Sequence, residues 1–176
     1  MADKVLMKKV RVLFIDRGDA TYIRSDLDLL ADFADVQRLS FRARSILGLP
    51  FGLFRQLFDC LRGMDQCDVV FVHFAGWNSW VPLALARLRN RPSVLFLHGT
   101  DSVSLPSIGY GNFRKWPLSA VTSASLRSAG RIVAVSSALV RSTNAYVPGE
   151  VTAQGMLSFV HPLDTPIEVL PHGFDP

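Results

Sequence analysis

Short apolar runs rich in β-branched residues alternate along this chain with stretches of helical periodicity. Arg11–Ile15 (RVLFI), Val69–His73 (VVFVH), Ser93–His98 (SVLFLH) and Arg131–Val135 (RIVAV) are near-continuous apolar runs, as expected of strands buried on both faces. Weaker strands are predicted at Val36–Leu39 and Ile167–Leu170. Between them, Ser25 can cap a helix through Leu27, Leu30 and Phe33, with Asp26 and Asp28 in a first turn favoured by the helix dipole. Phe51–Arg62 carries Phe54, Leu57, Phe58 and Leu61 on one face, predicting an amphipathic helix. Asn78 or Ser79 can cap a helix that runs to about Leu88 with Pro82 in its first turn. Pro117–Ala129 reads as a helix ended by Gly130 in a left-handed cap, and Ser137–Ala145 as a further one. A short helix is expected near Thr152–Phe159, because a structureless Tyr146–Pro166 would be long for a compact domain. This rhythm predicts an α/β fold: a Rossmann-like doubly wound parallel sheet with helices on both faces.

Composition narrows the class. At 176 residues the chain has room for one ordinary domain. With 49% hydrophobic residues and a mean hydropathy of +0.24 it is too apolar to be disordered. No apolar stretch approaches the ~18 residues of a membrane span. The net charge of +4 permits phosphates, nucleic acid or anionic lipid as partners without demanding any. Cys60 and Cys67 have neither a redox nor a zinc spacing and read as two reduced thiols. The N-terminal MADKVLMKKVRVLFID places Lys4, Lys8 and Lys9 before an apolar run. That run, Val10 to Ile15, is shorter than the ~7–15 residues of a signal-peptide core, so it reads as the first strand of a cytoplasmic protein.

Ligands of doubly wound sheets bind at the carboxyl ends of the strands, near the point where strand order reverses. That rule nominates the residues following each strand: Asp16, Arg17, Gly18 and Asp19; His73 to Gly76; His98, Gly99, Thr100 and Asp101; and Ser136. Histidine can donate or accept, and glycine admits a close backbone approach. Each also has a structural reading. A strand-terminal His can bond a neighbouring carbonyl, Gly18 and Gly99 can be turn residues, and Asp101 can be a cap. The chain has no GxSxG elbow, P-loop or HExxH helix. Gly109-Tyr110-Gly111 resembles the start of GxGxxG, but Arg114 replaces the third glycine and no strand precedes it. The four histidines lack a pairing that suggests a metal site. Arg38, Arg42, Arg44, Arg55 and Arg62 interleave with Phe41, Phe51, Phe54 and Phe58, with only Asp59 opposing. Two readings of Arg38–Arg62 follow: a core helix with a solvated Arg face, or a peripheral contact with an anionic membrane.

Taken together, the strand-end motifs resemble those of GT4-type retaining glycosyltransferases of the GT-B fold. The run from Asp68 to Asp101, DVVFVHFAGWNSWVPLALARLRNRPSVLFLHGTD, resembles the family's N-terminal half, with a strand ending in His, a helix, and a strand closing in HGxD. SAGRIVAVSSAL resembles its fifth strand, and IEVLPHGFDP its interdomain hinge. The resemblance implies an enzyme of two domains, the first binding the acceptor and the second a nucleotide-sugar, with transfer between them and no metal or other cofactor. By position, His98 would approach the transferred sugar, while Arg17, Gly18 and Gly99 would approach the donor phosphates. His73, Asp101 and Ser136 would line the acceptor side. The implied partners are a nucleotide-sugar and a glycan or lipid-linked acceptor, with no nucleic acid, at or near the inner face of the membrane.

The chain departs from that pattern in three respects. Gly18 stands alone where the family has a Gly-Gly pair, and His172 replaces the usual hinge Asn. The family's C-terminal half carries two Glu eight positions apart, whereas the only two here, Glu150 and Glu168, are 18 apart. The expectation is an acceptor-side domain over residues 1–170, the start of a hinge at 171–176, and a donor-binding domain missing from the sequence. Two other readings fit the same residues: a stand-alone non-catalytic subunit of a split glycosyltransferase, and a nucleotide-binding regulatory domain.

Overall fold

The computed structural model describes residues 9–43, 45 and 47–171. The expected hinge beyond Pro171, His172 included, lies outside the described residues, as do Arg44, Lys4 and Lys8. Six strands form one parallel sheet: β1 (Val10–Asp16), β2 (Ala34–Ser40), β3 (Val69–His73), β4 (Ser93–Leu97), β5 (Arg131–Ala134) and β8 (Ile167–Val169). Their order across the sheet is β2-β1-β3-β4-β5-β8. Strand order therefore reverses between β1 and β3, which makes that crevice the topological switch point. β6 (Ser142–Thr143) and β7 (Ala153–Gln154) form a small antiparallel pair apart from the sheet.

The period-two alternation of β1 divides the core. Leu13 and Ile15 join Val70, Val72, Leu95, Leu97 and Ile132 in the larger apolar cluster. This face is covered by α2 (Leu49–Met64), α3 (Trp77–Leu88) and α4 (Leu118–Ser128). Val12 and Phe14 turn to the other face and pack with Ile23 of α1 (Thr21–Phe33). The predicted doubly wound sheet with helices on both faces is thus the fold of the protein.

Several boundaries differ from the sequence reading. α1 starts at Thr21, so Ser25 is inside the helix, bonding back to the Thr21 carbonyl, and Asp26 and Asp28 lie beyond the first turn. α3 starts at Trp77 with Gly76 as its N-cap. Asn78 instead donates to the His73 carbonyl, and the Ser79 hydroxyl accepts from the Gly76 N–H. Gly130 does not adopt a left-handed cap. Its absent side chain permits contact with β4, where a Cβ would lie 2.9 Å from the Ser93 carbonyl oxygen. α5 (Ser137–Val140) is only one turn because Arg141 becomes extended and leads into β6. The expected short helix is α6 (Met156–Phe159).

The largest revision concerns α2. Its buried residues are Gln56, Cys60, Gly63 and Met64. Phe51 (74% exposed), Phe54 (61%) and Phe58 (45%) form an i, i+3, i+7 stripe on the opposite side, in solvent. A core helix with only a solvated Arg face is therefore not what α2 is. No helix among the described residues is long and apolar enough to cross a membrane.

Candidate functional site at the switch-point edge

The loops after β1, β3 and β4 each contain a glycine at φ near +147°: Gly18 (147°), Gly76 (146°) and Gly99 (148°). L side chains rarely adopt that conformation, so glycine is required for these turns. A Cβ at Gly18 would meet nothing within 4 Å, leaving its backbone open to approach. Gly99 faces the Tyr110 hydroxyl, 3.2 Å from where its Cβ would be.

Asp101 joins the loops after β3 and β4. It has no solvent exposure, and its Oδ1 accepts from the N–H groups of Gly99 (3.0 Å) and His98 (3.3 Å) while Oδ2 accepts from Ala75 (3.1 Å). Burial pushes its carboxyl above the ordinary range, opposed by the lowering effect of the N–H donors of Gly99, Ala75 and His98. Asp101 thus braces the loops after β3 and β4 from inside.

His73 is also buried, with its ring between Phe14 (centroids 4.7 Å) and Phe96 (4.8 Å). Its Nδ1 lies 3.0 Å from His98 Nε2, a hydrogen bond that needs a proton on one nitrogen and a lone pair on the other. Asp26 Oδ2 is 3.7 Å from His73 Nε2, within ion-pair range. The half-buried His98 is further bracketed by Tyr22 (4.8 Å) and Phe74 (4.6 Å). A carboxylate, a buried imidazole and a partly exposed imidazole therefore lie in sequence from α1 to the sheet edge, and packing sets the plane of the outermost ring.

The first loop is held by a different group. Asp16, fully buried, accepts from Arg38 Nε at 2.6 Å, from the Ser40 hydroxyl at 2.9 Å and from the Gly18 N–H at 2.9 Å. Arg38 also reaches Asp19 at 2.6 Å and the Gly18 carbonyl at 3.1 Å. Those hydrogen bonds raise the Arg38 guanidinium above its usual value and lower the Asp19 carboxyl. Arg38 is therefore committed to bracing the loop, and Asp16 and Asp19 join Asp59 in offsetting the basic segment.

Of the residues nominated from sequence, the structure brings His73, His98, Gly99 and Asp101 into one cluster. Ser136 caps α5 one strand along the same edge, its Oγ accepting from the Ala138 N–H at 3.2 Å. Arg17 opens onto a neighbouring cavity of about 450 Å³ with Phe41, Arg42, Leu49 and Trp77. Sequence reasoning named Arg38 only as part of the basic segment and Asp26 only as a helix-start residue, and it missed Tyr22. Tyr22 and Asp26, four apart, share one face of α1, a relation hidden when the helix is started at Ser25. Gly109-Tyr110-Gly111 is a structural turn: Leu105 bridges Tyr110, and a Cβ on Gly111 would lie 2.1 Å from the Val103 carbonyl oxygen. No group of His, Cys, Asp or Glu among the described residues is arranged to hold a metal ion.

Sheet order and edge chemistry together define a Rossmann-like α/β domain with polar side chains gathered at the edge beside its switch point. The model of Glycosyltransferase Family 4 matches residues 8–176, and the chain belongs to that family. No curated protein matches the chain. Among solved structures, one similar chain is described as a UDP-N-acetylglucosamine 2-epimerase from Listeria monocytogenes, at 11% identity and a TM-score of 0.45. The match covers 72% of this chain and 39% of that one, so the chain spans about two fifths of that structure's length.

Proposed function

We propose that this chain is the acceptor-binding domain of a glycosyltransferase that moves a sugar, with retention, from a nucleotide-sugar to a glycan or lipid-linked acceptor. A second domain, of the GT-B kind, would bind the donor. The observation that carries the reading is His98 with Gly99 at the switch-point edge, braced from below by Asp101 and His73. His98 approaches the transferred sugar. The Gly18 and Gly99 loops approach the donor phosphates, where oriented backbone amides offset leaving-group charge without a metal. Ser136 stands on the acceptor side, while His73 and Asp101 act by holding others in place. The exposed phenylalanines of α2 form a peripheral contact with the cytoplasmic face of a membrane.

In the enzyme that carries this domain, His98→Ala is expected to lower kcat by more than it weakens acceptor binding. An unchanged kcat would remove His98 from the site. The 176 residues by themselves are expected to turn over no sugar nucleotide, and measurable turnover would refute the division of labour. Co-sedimentation with anionic liposomes tests the membrane contact, which no binding at low salt would end.

A further inference from the structure

We propose that Asp26 and His73 are positioning residues that fix the proton of His98 on Nε2, so that His98 presents a lone pair at Nδ1 and recognises a hydroxyl group. The proposal rests on the reading of His98 given above and deepens it, by stating which chemical group of a sugar that ring meets.

The fold sets the order of the three side chains. β3 and β4 are neighbours with His73 opposite Phe96, and His98, two residues on, returns to the same face as Phe96. The His73 ring lies nearly parallel to both, at 15° to Phe96 and 20° to His98. Phe14 covers His73 from β1, and Tyr22 and Phe74 bracket His98, so packing holds each ring nitrogen at its partner. α1 contributes twice from one face: Tyr22 against the outer ring and Asp26 toward the inner one.

Hydrogen-bond polarity then follows from the carboxylate. Asp26 Oδ2 is 3.7 Å from His73 Nε2, and a negative charge there favours the proton on that nitrogen. In the neutral ring the lone pair is left at Nδ1, which lies 3.0 Å from His98 Nε2. His98 Nε2 must therefore donate, and the lone pair of His98 is at Nδ1. His73 is 1% exposed, which keeps water from supplying the opposite polarity. One carboxylate on α1 thus orients both imidazoles. Whatever meets His98 Nδ1 must donate to it: a sugar hydroxyl can, and an ionised phosphate oxygen cannot.

Adding a proton to the pair reverses this polarity. With the charge on either ring, His98 Nδ1 becomes a donor. Asp26 holds such a proton on the pair. The other charges felt here are Asp101 and Arg17, which with Asp26 act on the Tyr22 hydroxyl beside His98. Burial holds that hydroxyl above its ordinary value, and Phe14, Phe74 and Phe96 carry no charge. Replacing Asp26 leaves all of these in place.

The test is long-range 1H–15N NMR of the 176-residue chain labelled at histidine, which separates protonated from unprotonated ring nitrogens, with His98→Ala identifying the outer ring. At about pH 8, above the ordinary imidazole value of ~6.5, wild type is expected to carry its protons on Nε2 of both His73 and His98. Asp26→Asn is expected to shift both rings toward the Nδ1–H form, and Asp26→Glu, which keeps the charge, to retain the wild-type pattern. A wild-type His98 protonated on Nδ1 would overturn the proposal, as would Asn and Glu variants with the same spectrum. In the enzyme that carries this domain, Asp26→Asn is expected to lower kcat about tenfold, the worth of one substrate hydrogen bond. The acid limb of its pH profile should move to lower pH, because the pair has lost the charge that held its extra proton. An unmoved limb would count against the proposal, since a purely structural Asp26 would leave it in place. If His98→Ala lowers kcat while wild-type His98 is protonated on Nδ1, the proposal fails and the glycosyltransferase reading stands. If the tautomers switch as expected while His98→Ala leaves kcat unchanged, the positioning network stands and the His98 assignment falls.

Discussion

Keeping a carboxylate out of water at a loop junction is costly, and at Asp101 three backbone N–H groups offset that cost. Asn in its place offers one acceptor oxygen and turns an NH2 group toward a donor. Asp101→Asn is therefore expected to cost about 1–3 kcal/mol in denaturant unfolding at mildly acidic pH, loosening His98 and Gly99 from Ala75. The pH dependence follows from the raised carboxyl of the folded state. The folded chain retains a proton that the unfolded chain releases near pH ~3.9, so the stabilisation is complete below that value and lost as pH rises through the folded one. The gap between wild type and Asp101→Asn should narrow on going from about pH 4 toward neutrality. A gap that widens with pH would mean that the N–H donors outweigh burial. The two cysteines give a simpler expectation. Burial pushes the Cys60 thiol up to about 12 and also raises Cys67, so neither should react with a thiol reagent at neutral pH before the chain unfolds. Reaction of the folded protein on the mixing timescale would contradict that burial.

At the scale of elements, the strands were legible because burial on both faces leaves little choice of residue: RVLFI, VVFVH, SVLFLH and RIVAV can hardly be anything else. Helix starts were less so. Ala20 and Gly76 cap α1 and α3 without the side-chain oxygen that marks an N-terminus in sequence, so the sequence pattern points instead to polar residues within the helices, Ser25 in α1 and Asn78 or Ser79 in α3. The face of α2 was hidden for another reason. Periodicity shows that an apolar stripe exists but not whether protein covers it, and here the core side is the one with Gln56, Cys60, Gly63 and Met64. Gly63 allows that approach, since a Cβ there would lie 2.8 Å from the Leu13 side chain. The exposed stripe makes an uncommon prediction: Phe51→Ser with Phe54→Ser should change folding stability by no more than about 0.5 kcal/mol. The same pair should weaken binding to anionic vesicles by about tenfold. A large loss of stability would place the stripe in a core and remove the membrane contact.

At the scale of the molecule, the candidate site is legible in outline because one topological rule gathers strand ends that lie far apart in sequence. His73 and His98 were nominated by that rule, and the hydrogen bond between their rings follows from β3 and β4 being neighbours in the sheet. The rule could not show that Arg38 would be spent on Asp16 and Asp19, or that Arg17 and Arg42 would remain for the adjacent cavity. Those assignments depend on which of several arginines lies beside a carboxylate after folding. The six-stranded sheet also bears on the proposed function: its edge offers His98, glycine-containing turns and a basic crevice, which in that reading form one side of a transfer site. Titration of the 176-residue chain with sugar nucleotides and with free and lipid-linked saccharide acceptors, side by side, tests this account most directly. The account predicts that the preferred saccharide acceptor binds at least about tenfold more tightly than any sugar nucleotide, and that His98→Ala leaves this binding within about threefold of wild type. Sugar nucleotides binding more tightly than every saccharide-bearing acceptor would contradict it.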